Sequence, residues 1–340
     1  MDNSTNTGKR IMILLIGLLL LAGIIFIIIG VVIPRQKYQE AMGLLAVGEY
    51  DEAYAMLTKL GKDEIITGSI NERADALLEA GDGDGAYALL AELTDEESQT
   101  KRMEIKRQQI RDTQEGKYFT LGRYEQDNKT ENGPEPIEWM VLARDGDRVL
   151  VISRYILDCV RYDEEYRRVT WETCTLRAWL NGEFLNAAFE PEEQLLIPTT
   201  HVTADPNPDF AVDPGNDTED TLFLLSIPEA EAYFHPDPCT IPPVYESVKP
   251  WEKIIQQYQA NPSTLYCKPT AYAAARGNSP RGGVFKGATS WWLRAPGVRA
   301  SSAALADSYG LFDPWGALVN CDGSSYIYGV RPAMWIDLGT

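Results

Sequence analysis

The chain has 340 residues and a formal net charge of −19, with 50 Asp and Glu against 31 Lys and Arg, and only two histidines. Lys9, Arg10, Arg35 and Lys37 against Asp2 make residues 1–37 net +3, which leaves −22 on everything beyond. A surface that acidic repels phosphate backbones, so no nucleic-acid partner is expected. The five cysteines (159, 174, 239, 267 and 321) show no CxxC spacing, so the fold must rest on its core and not on a disulfide framework.

A polar tail, 1–10, precedes IMILLIGLLLLAGIIFIIIGVVI at 11–33, which has 23 residues and no charge, Asn, Gln or Pro. At 1.5 Å per residue this run reaches about 34 Å, enough to cross a hydrocarbon core of roughly 30 Å. A signal peptide would carry a shorter run and a small-x-small cleavage site, so the spacing predicts an uncleaved single-pass anchor in the cell membrane. Basic residues flank both ends equally. The usual arrangement for such an anchor puts the short tail inside and the large carboxyl-terminal part outside the cell.

Residues 36–93 repeat with an offset of 33: AMGLLAVG at 41–48 aligns with ADALLEAG at 74–81, and AYAMLTKL at 53–60 with AYALLAEL at 86–93. Each copy reads as helix, Gly-centred turn, helix. The string Gly48-Glu49-Tyr50-Asp51-Glu52-Ala53 looks like the turn of a tetratricopeptide repeat. Two hairpins are few for a peptide groove, and a stalk that spaces the rest of the chain from the bilayer is the plainer expectation. Residues 94–116 are charged almost throughout and predict a helix that caps the repeats or links them onward.

From Lys117 the pattern becomes mixed α+β. A strand is expected over 118–124, followed by two apolar runs joined by Asp145-Gly146, a hairpin signal. Thr173 can cap a helix whose Leu176, Trp179 and Leu180 share one face, interrupted at Asn181-Gly182. Short helices are expected from Pro191, around 229–234 and over 270–276, with a strand at 222–225. Residues 235–262, rich in Pro, read as an insertion. The carboxyl-terminal strands are placed at 290–294, 303–306, 317–319 and 330–336.

The motifs LGRYEQ (121–126), PIEWMVL (136–142), LVISRYILD (150–158), TWETCTLRAWLNGEFLNAAF (170–189), LFLLSIPEA (222–230), WWLRAPG (291–297) and GVRPAMWI (329–336) resemble a bacterial domain family of unknown function, over residues 117–340. In that family the module often follows an anchor and helical repeats. The ending also resembles the C-type-lectin-like fold shared by formylglycine-generating enzymes and the variable proteins of diversity-generating retroelements. That resemblance implies structural roles for Trp291, Trp292, Arg294, Arg331 and Trp335, and an exposed binding face in the segment between the Trp strand and the final Arg-Pro strand.

The stretch 297–329 fits such a face. Arg299, Ser301, Ser302, Asp307, Tyr309, Phe312, Asp313, Trp315, Asn320, Asp322, Ser324, Tyr326 and Tyr328 combine aromatic contact area with adaptable hydrogen bonding, the composition that binding surfaces favour. The plainer alternative is ordinary turns, with Asp322-Gly323 a hairpin turn and Pro314-Trp315-Gly316 a packed loop. A protein or glycan ligand is the expected partner, and the stretch is a candidate for rewriting by a retroelement.

Catalytic and metal readings are weaker. Cys267 and Cys321 lack the motif that surrounds the reactive cysteine pair of formylglycine-generating enzymes. His235, Asp237 and Cys239 supply too few metal ligands, and the acids at 163–165 and 192–193 read as solvated surface. Asp205, Asp209, Asp213, Asp217, Glu219 and Asp220 offer hard oxygens for calcium without EF-hand spacing, so a polar insertion loop is expected there and no cofactor. The reading is a membrane-anchored, non-catalytic binding protein. Its alternatives are an enzyme on the same fold, and an envelope scaffold that acts through the helical repeats.

Overall fold

The computed structural model describes residues 18–234, 265–277, 287–308, 310, 312–320 and 328–339, and it divides into two units, Met1–Ile105 and Lys106–Thr340. The first unit opens with helix α1, Leu18–Val47, whose apolar part is fully exposed. It is long and apolar enough to cross a membrane, a test that a signal sequence also passes. Residues 11–17 of the expected span lie outside the described residues. The sequence ends the span at Ile33, before Pro34, but the helix continues to Val47. A widened turn, Ile28–Val32, makes this feasible: the Ile33 N–H reaches Ile28 O, five residues back. Such a turn lets the backbone pass a residue that lacks an N–H and crowds the turn before it.

Helices α2 (Tyr50–Lys59), α3 (Asp63–Glu79) and α4 (Gly83–Leu90) complete two hairpins, α1 with α2 and α3 with α4. The 33-residue offset governs the packing. Ala41 and Ala74, Ala53 and Ala86, and Leu57 and Leu90 are equivalent pairs, and all six are fully buried. Small Ala residues let the helices approach while Leu fills the seam. Gly48 and Gly81 end the first helix of each hairpin at φ +88° and +81°, a left-handed position that a Cβ disfavours. Gly48→Ala and Gly81→Ala are each expected to cost about 1 kcal/mol, read from thermal melts of helical circular dichroism.

Helix α5, Glu96–Asp112, shows no apolar stripe in the sequence, yet Ile105 joins Ile70, Ala74, Ala86 and Leu90 in one cluster. Its charged residues are accommodated by pairing. Lys101 meets Asp75 at 2.7 Å, Arg102 stacks over the Tyr87 ring, and buried Ser98 receives the Asn71 amide. From Lys106 on, the helix belongs to the second unit.

The second unit mixes sheet and helix. Strands β1 (Tyr118–Tyr124), β2 (Glu135–Asp145) and β3 (Arg148–Ser153) run antiparallel in sequence order, and the last strand, β11 (Ala333–Asp337), pairs with β3. The hairpin turn is shifted by one residue from expectation. Asp145 pairs with Arg148, so the loop is Gly146-Asp147, with only Gly146 at positive φ. Glycine at the first loop position suits a II′ turn.

A second sheet has the order β4 (Asp158–Cys159), β10 (Gly329–Val330), β7 (Trp291–Pro296), β8 (Ser302–Ala306), β9 (Phe312–Leu318). The expected single strand over 330–336 is two strands in two sheets. Arg331 and Pro332 form the corner between them. The Arg331 Nε donates to Ser153 O at the end of β3, and its guanidinium lies over the Trp291 and Phe234 rings. A small ladder pairs β5 (Thr200–Val202) with β6 (Thr218–Asp220).

The helical run from Thr175 to Ala188 is capped by Cys174, one residue beyond the expected Thr173, which instead closes a capping box with Thr170. Asn181 lies, as expected, where the α-helix is interrupted: the helix widens into one π turn, Leu180–Phe184, and resumes at Leu185. Its side chain accepts from the Thr221 and Leu222 amides and donates to Leu222 O, pinning the buried segment 222–225. That segment is expected as a strand, but it contributes only the bridge Phe223 to Ala333. Helices Pro191–Gln194, Ile227–Phe234 and Ala271–Ala275 stand where expected. The expected insertion, 235–262, lies outside the described residues. The core holds Trp139, Trp171, Trp291 and Trp292, and each indole N–H finds an acceptor: Leu121 O, Asp220 Oδ2, Leu265 O and Val160 O.

Candidate functional site

Among the described residues β9 is one of the two edge strands of the five-stranded sheet. Its pairing with β8 runs Ser302–Leu318 and Ala303–Ala317, then resumes at Leu305–Asp313, so Pro314, Trp315 and Gly316 bulge out against Ala304 alone. The sequence Asp-Pro-Trp-Gly builds this bulge. The Asp313 Oδ1 accepts from the Trp315 and Gly316 amides, and Gly316 takes φ +66°. A Cβ on Gly316 would lie 2.0 Å from Ala303 O. Bulges re-aim a side chain, and this one leaves the Trp315 indole 44% exposed. Gly316→Ala is expected to cost about 2 kcal/mol through strain and contact, visible as a lower urea midpoint.

Three further features fix the bulge. Val298 N–H donates to Trp315 O at 2.9 Å, and the absence of a side chain at Gly297 leaves room for that oxygen. Buried Asn207, flanked by two prolines, donates to both Pro296 O and Pro314 O at 2.8 Å. The same loop brings the half-buried Phe210 ring to 4.9 Å from Trp315, edge to face. Beneath them Arg294, on β7, is a buried hub. It donates to Thr203 O, Leu224 O and Asp205 Oδ2 at 3.2, 2.9 and 2.9 Å and pairs with Glu229. Ser226 closes the ring through its hydroxyl to Asp205 and its amide to Glu229.

The other expected binding residues are distributed unevenly. Arg299 is exposed and half-buried Ser301 is 3.4 Å from the Tyr166 hydroxyl, both on the β7–β8 loop near Trp315. Ser302 is buried: its hydroxyl donates to Arg299 O and accepts from the Arg299 amide, which makes it a brace of that loop. Phe312 is also buried, because β9 turns it into the sheet's packed side. Asn320 and Asp307 are half-buried at opposite ends of the β8–β9 pair. Tyr328 packs at 4.9 Å on the Trp292 ring. Tyr309, Asp322, Ser324 and Tyr326 lie outside the described residues. Of the expected structural residues, Trp291, Trp292, Arg294 and Arg331 are buried, while Trp335 is half-buried beneath the Arg148 guanidinium. Sequence reasoning missed Phe210 and Asn207. The signal was a single aromatic residue in a Pro- and Asp-rich loop, and an Asn between two prolines.

A family model described as Domain of unknown function (DUF6273) matches residues 146–338. The chain belongs to this family. No curated protein and no solved structure matches the chain. The DUF6273 segment contains the whole five-stranded sheet, the Arg294 hub and the Trp315 bulge, whereas β1 and β2 precede it.

Within the DUF6273 segment four acids of the 205–220 loop are bound by neighbouring side chains. Asp205 is bound to Arg294, Asp217 and Glu219 to His201, and Asp220 to Arg177, Trp171 and Thr218. They form no common cage. The acids at 163–165 and 192–193, expected as solvated surface, divide: Glu164 and Glu165 are exposed and Glu192 is half-buried, but Asp163 and Glu193 are buried. Asp163 is buried and held bidentately by Arg167, and buried Glu193 accepts from the Gly122 and Glu190 amides. Ahead of the segment, Glu125, Asp127 and Glu135 bring one oxygen each within 4.8 Å of one another, and the amides of Gln126, Asp127 and Lys129 bind them.

Thiol chemistry is suppressed at the described cysteines. Burial pushes the Cys159 and Cys174 thiols up to about 12, and burial also raises Cys267. Native protein at pH 7.5 is expected to leave all three unalkylated by iodoacetamide, with labelling only after unfolding, as read by peptide mass mapping. His235, Asp237, Cys239 and Cys321 lie outside the described residues.

Proposed function

We propose that this DUF6273 protein is a membrane-tethered binding protein whose second unit has a C-type-lectin-like fold and holds a protein or glycan on the Trp315 face. One observation carries the reading. A large aromatic side chain is turned outward from an edge strand, and a bulge, two glycines and the buried Asn207 hold it there. Leaving an indole in water gains nothing for folding, and rigid aromatic side chains dominate binding energy when a partner covers them. The sheet and the Arg294 hub supply a preorganised base, so binding loses little to ordering. The apolar helix α1 fits the tether, and the two hairpins fit a stalk.

The test is a screen of full-length protein in nanodiscs against a glycan array and a panel of cell-surface proteins. The reading expects at least one ligand that Trp315→Ala loses; a screen without any such ligand overturns it. Protease added to intact cells reports the orientation, with digestion of the second unit expected. A template repeat and a reverse-transcriptase gene beside this gene would identify residues 297–329 as a retroelement's target, and sequencing the locus decides that point.

A further inference from the structure

Resting on that reading, we infer that the partner is a protein segment that presents a basic side chain, Lys or Arg, to the Trp315–Phe210 pair. The two rings offer an aromatic corner, with centroids 4.9 Å apart and an interplanar angle of 66°, and ring faces attract cations. Negative charge lies beside them. Asp209 adjoins Phe210 and is exposed, and Glu231 lies close enough to feel its charge. The Glu231 carboxyl is raised by partial burial and then by Asp209. Neither acid has a cationic partner among the described residues, and a cation between them would relieve the repulsion. Exposed Arg299 follows Val298, whose N–H binds Trp315 O, and suits an acidic group or carbonyl on the same partner.

The extent of the face favours a chain over a small cation. Leu318, three residues further along β9, is also exposed, at 40%. Three residues of strand span about 10 Å, longer than one ammonium group can cover. The large negative charge of the chain beyond its anchor would also steer a basic segment toward it.

The experiment uses full-length protein in phosphatidylcholine nanodiscs and a fluorescent hexa-arginine peptide, with a hexa-glutamine peptide as the neutral probe. Anisotropy should show binding of the first and not of the second. Trp315→Ala and the pair Asp209→Asn with Glu231→Gln should each weaken binding about tenfold. Glu64→Gln with Glu79→Gln removes the same charge from exposed sites in the first unit and should leave binding unchanged. Equal weakening by both acidic pairs would show bulk attraction and overturn the inference, as would no binding of hexa-arginine. If hexa-arginine fails while another ligand still depends on Trp315, only the cation inference falls. If Trp315→Ala alters the binding of no ligand, the binding-face reading falls with it.

Discussion

Replacing Arg294 by Ala is expected to lower the stability of the second unit by about 3–5 kcal/mol, the range for removing one partner of a buried ion pair. The guanidinium is 3% exposed and distributes four hydrogen bonds over two carbonyls and two carboxylates. Its loss leaves Asp205 and Glu229, both largely shielded, without their cation and facing Leu224 O and Thr203 O. Arg294→Lys should recover less than about half of that, because one ammonium cannot reach acceptors that the planar fork spans together. All eight tryptophans lie at or beyond Trp139. Urea unfolding followed by tryptophan fluorescence in detergent-solubilised full chain therefore reports this unit alone. A shift below about 1 kcal/mol would mean that the hub is redundant.

Trp315→Ala has the opposite profile. It should lower affinity for a ligand of the face by about tenfold or more, the mark of an aromatic anchor. The fluorescence-detected urea midpoint should move by less than about 1 kcal/mol, since so much of the ring is already in water. Leu195→Ala is the control. That side chain is 81% exposed, and its loss should alter neither quantity. A variant that loses binding and stability together would show that Trp315 supports the fold.

Local patterns were legible in the sequence wherever one residue type has one physical use. The 33-residue repeat correctly paired Ala41 with Ala74 and Leu57 with Leu90, because equivalent helices must bury equivalent positions. The Asp-Gly signal located the β2–β3 hairpin but shifted its turn by one residue, since a II′ turn needs glycine only at its first position. Of the tryptophans and the arginine expected as structural, Trp291, Trp292 and Arg294 are buried, and Trp335 is half-buried.

Long-range pairing escaped. Asn207 acts on Pro296 and Pro314, 89 and 107 residues away, and Phe210 meets Trp315 across a similar distance, so no window of sequence contains the site. The single apolar run at 330–336 likewise hid a corner between two sheets, because strand periodicity does not say which sheet a strand joins. Ser302 and Phe312 read as surface by composition. Strand register decides that they face inward.

The most direct test of the binding face is site-specific photo-crosslinking on intact cells, with p-benzoylphenylalanine placed in turn at positions 315, 210 and 195. Discrete adducts from 315 and 210, with none from 195, are the predicted result. Adducts from all three positions alike, or from none in cells that retain the ligand, would contradict a recognition surface at Trp315.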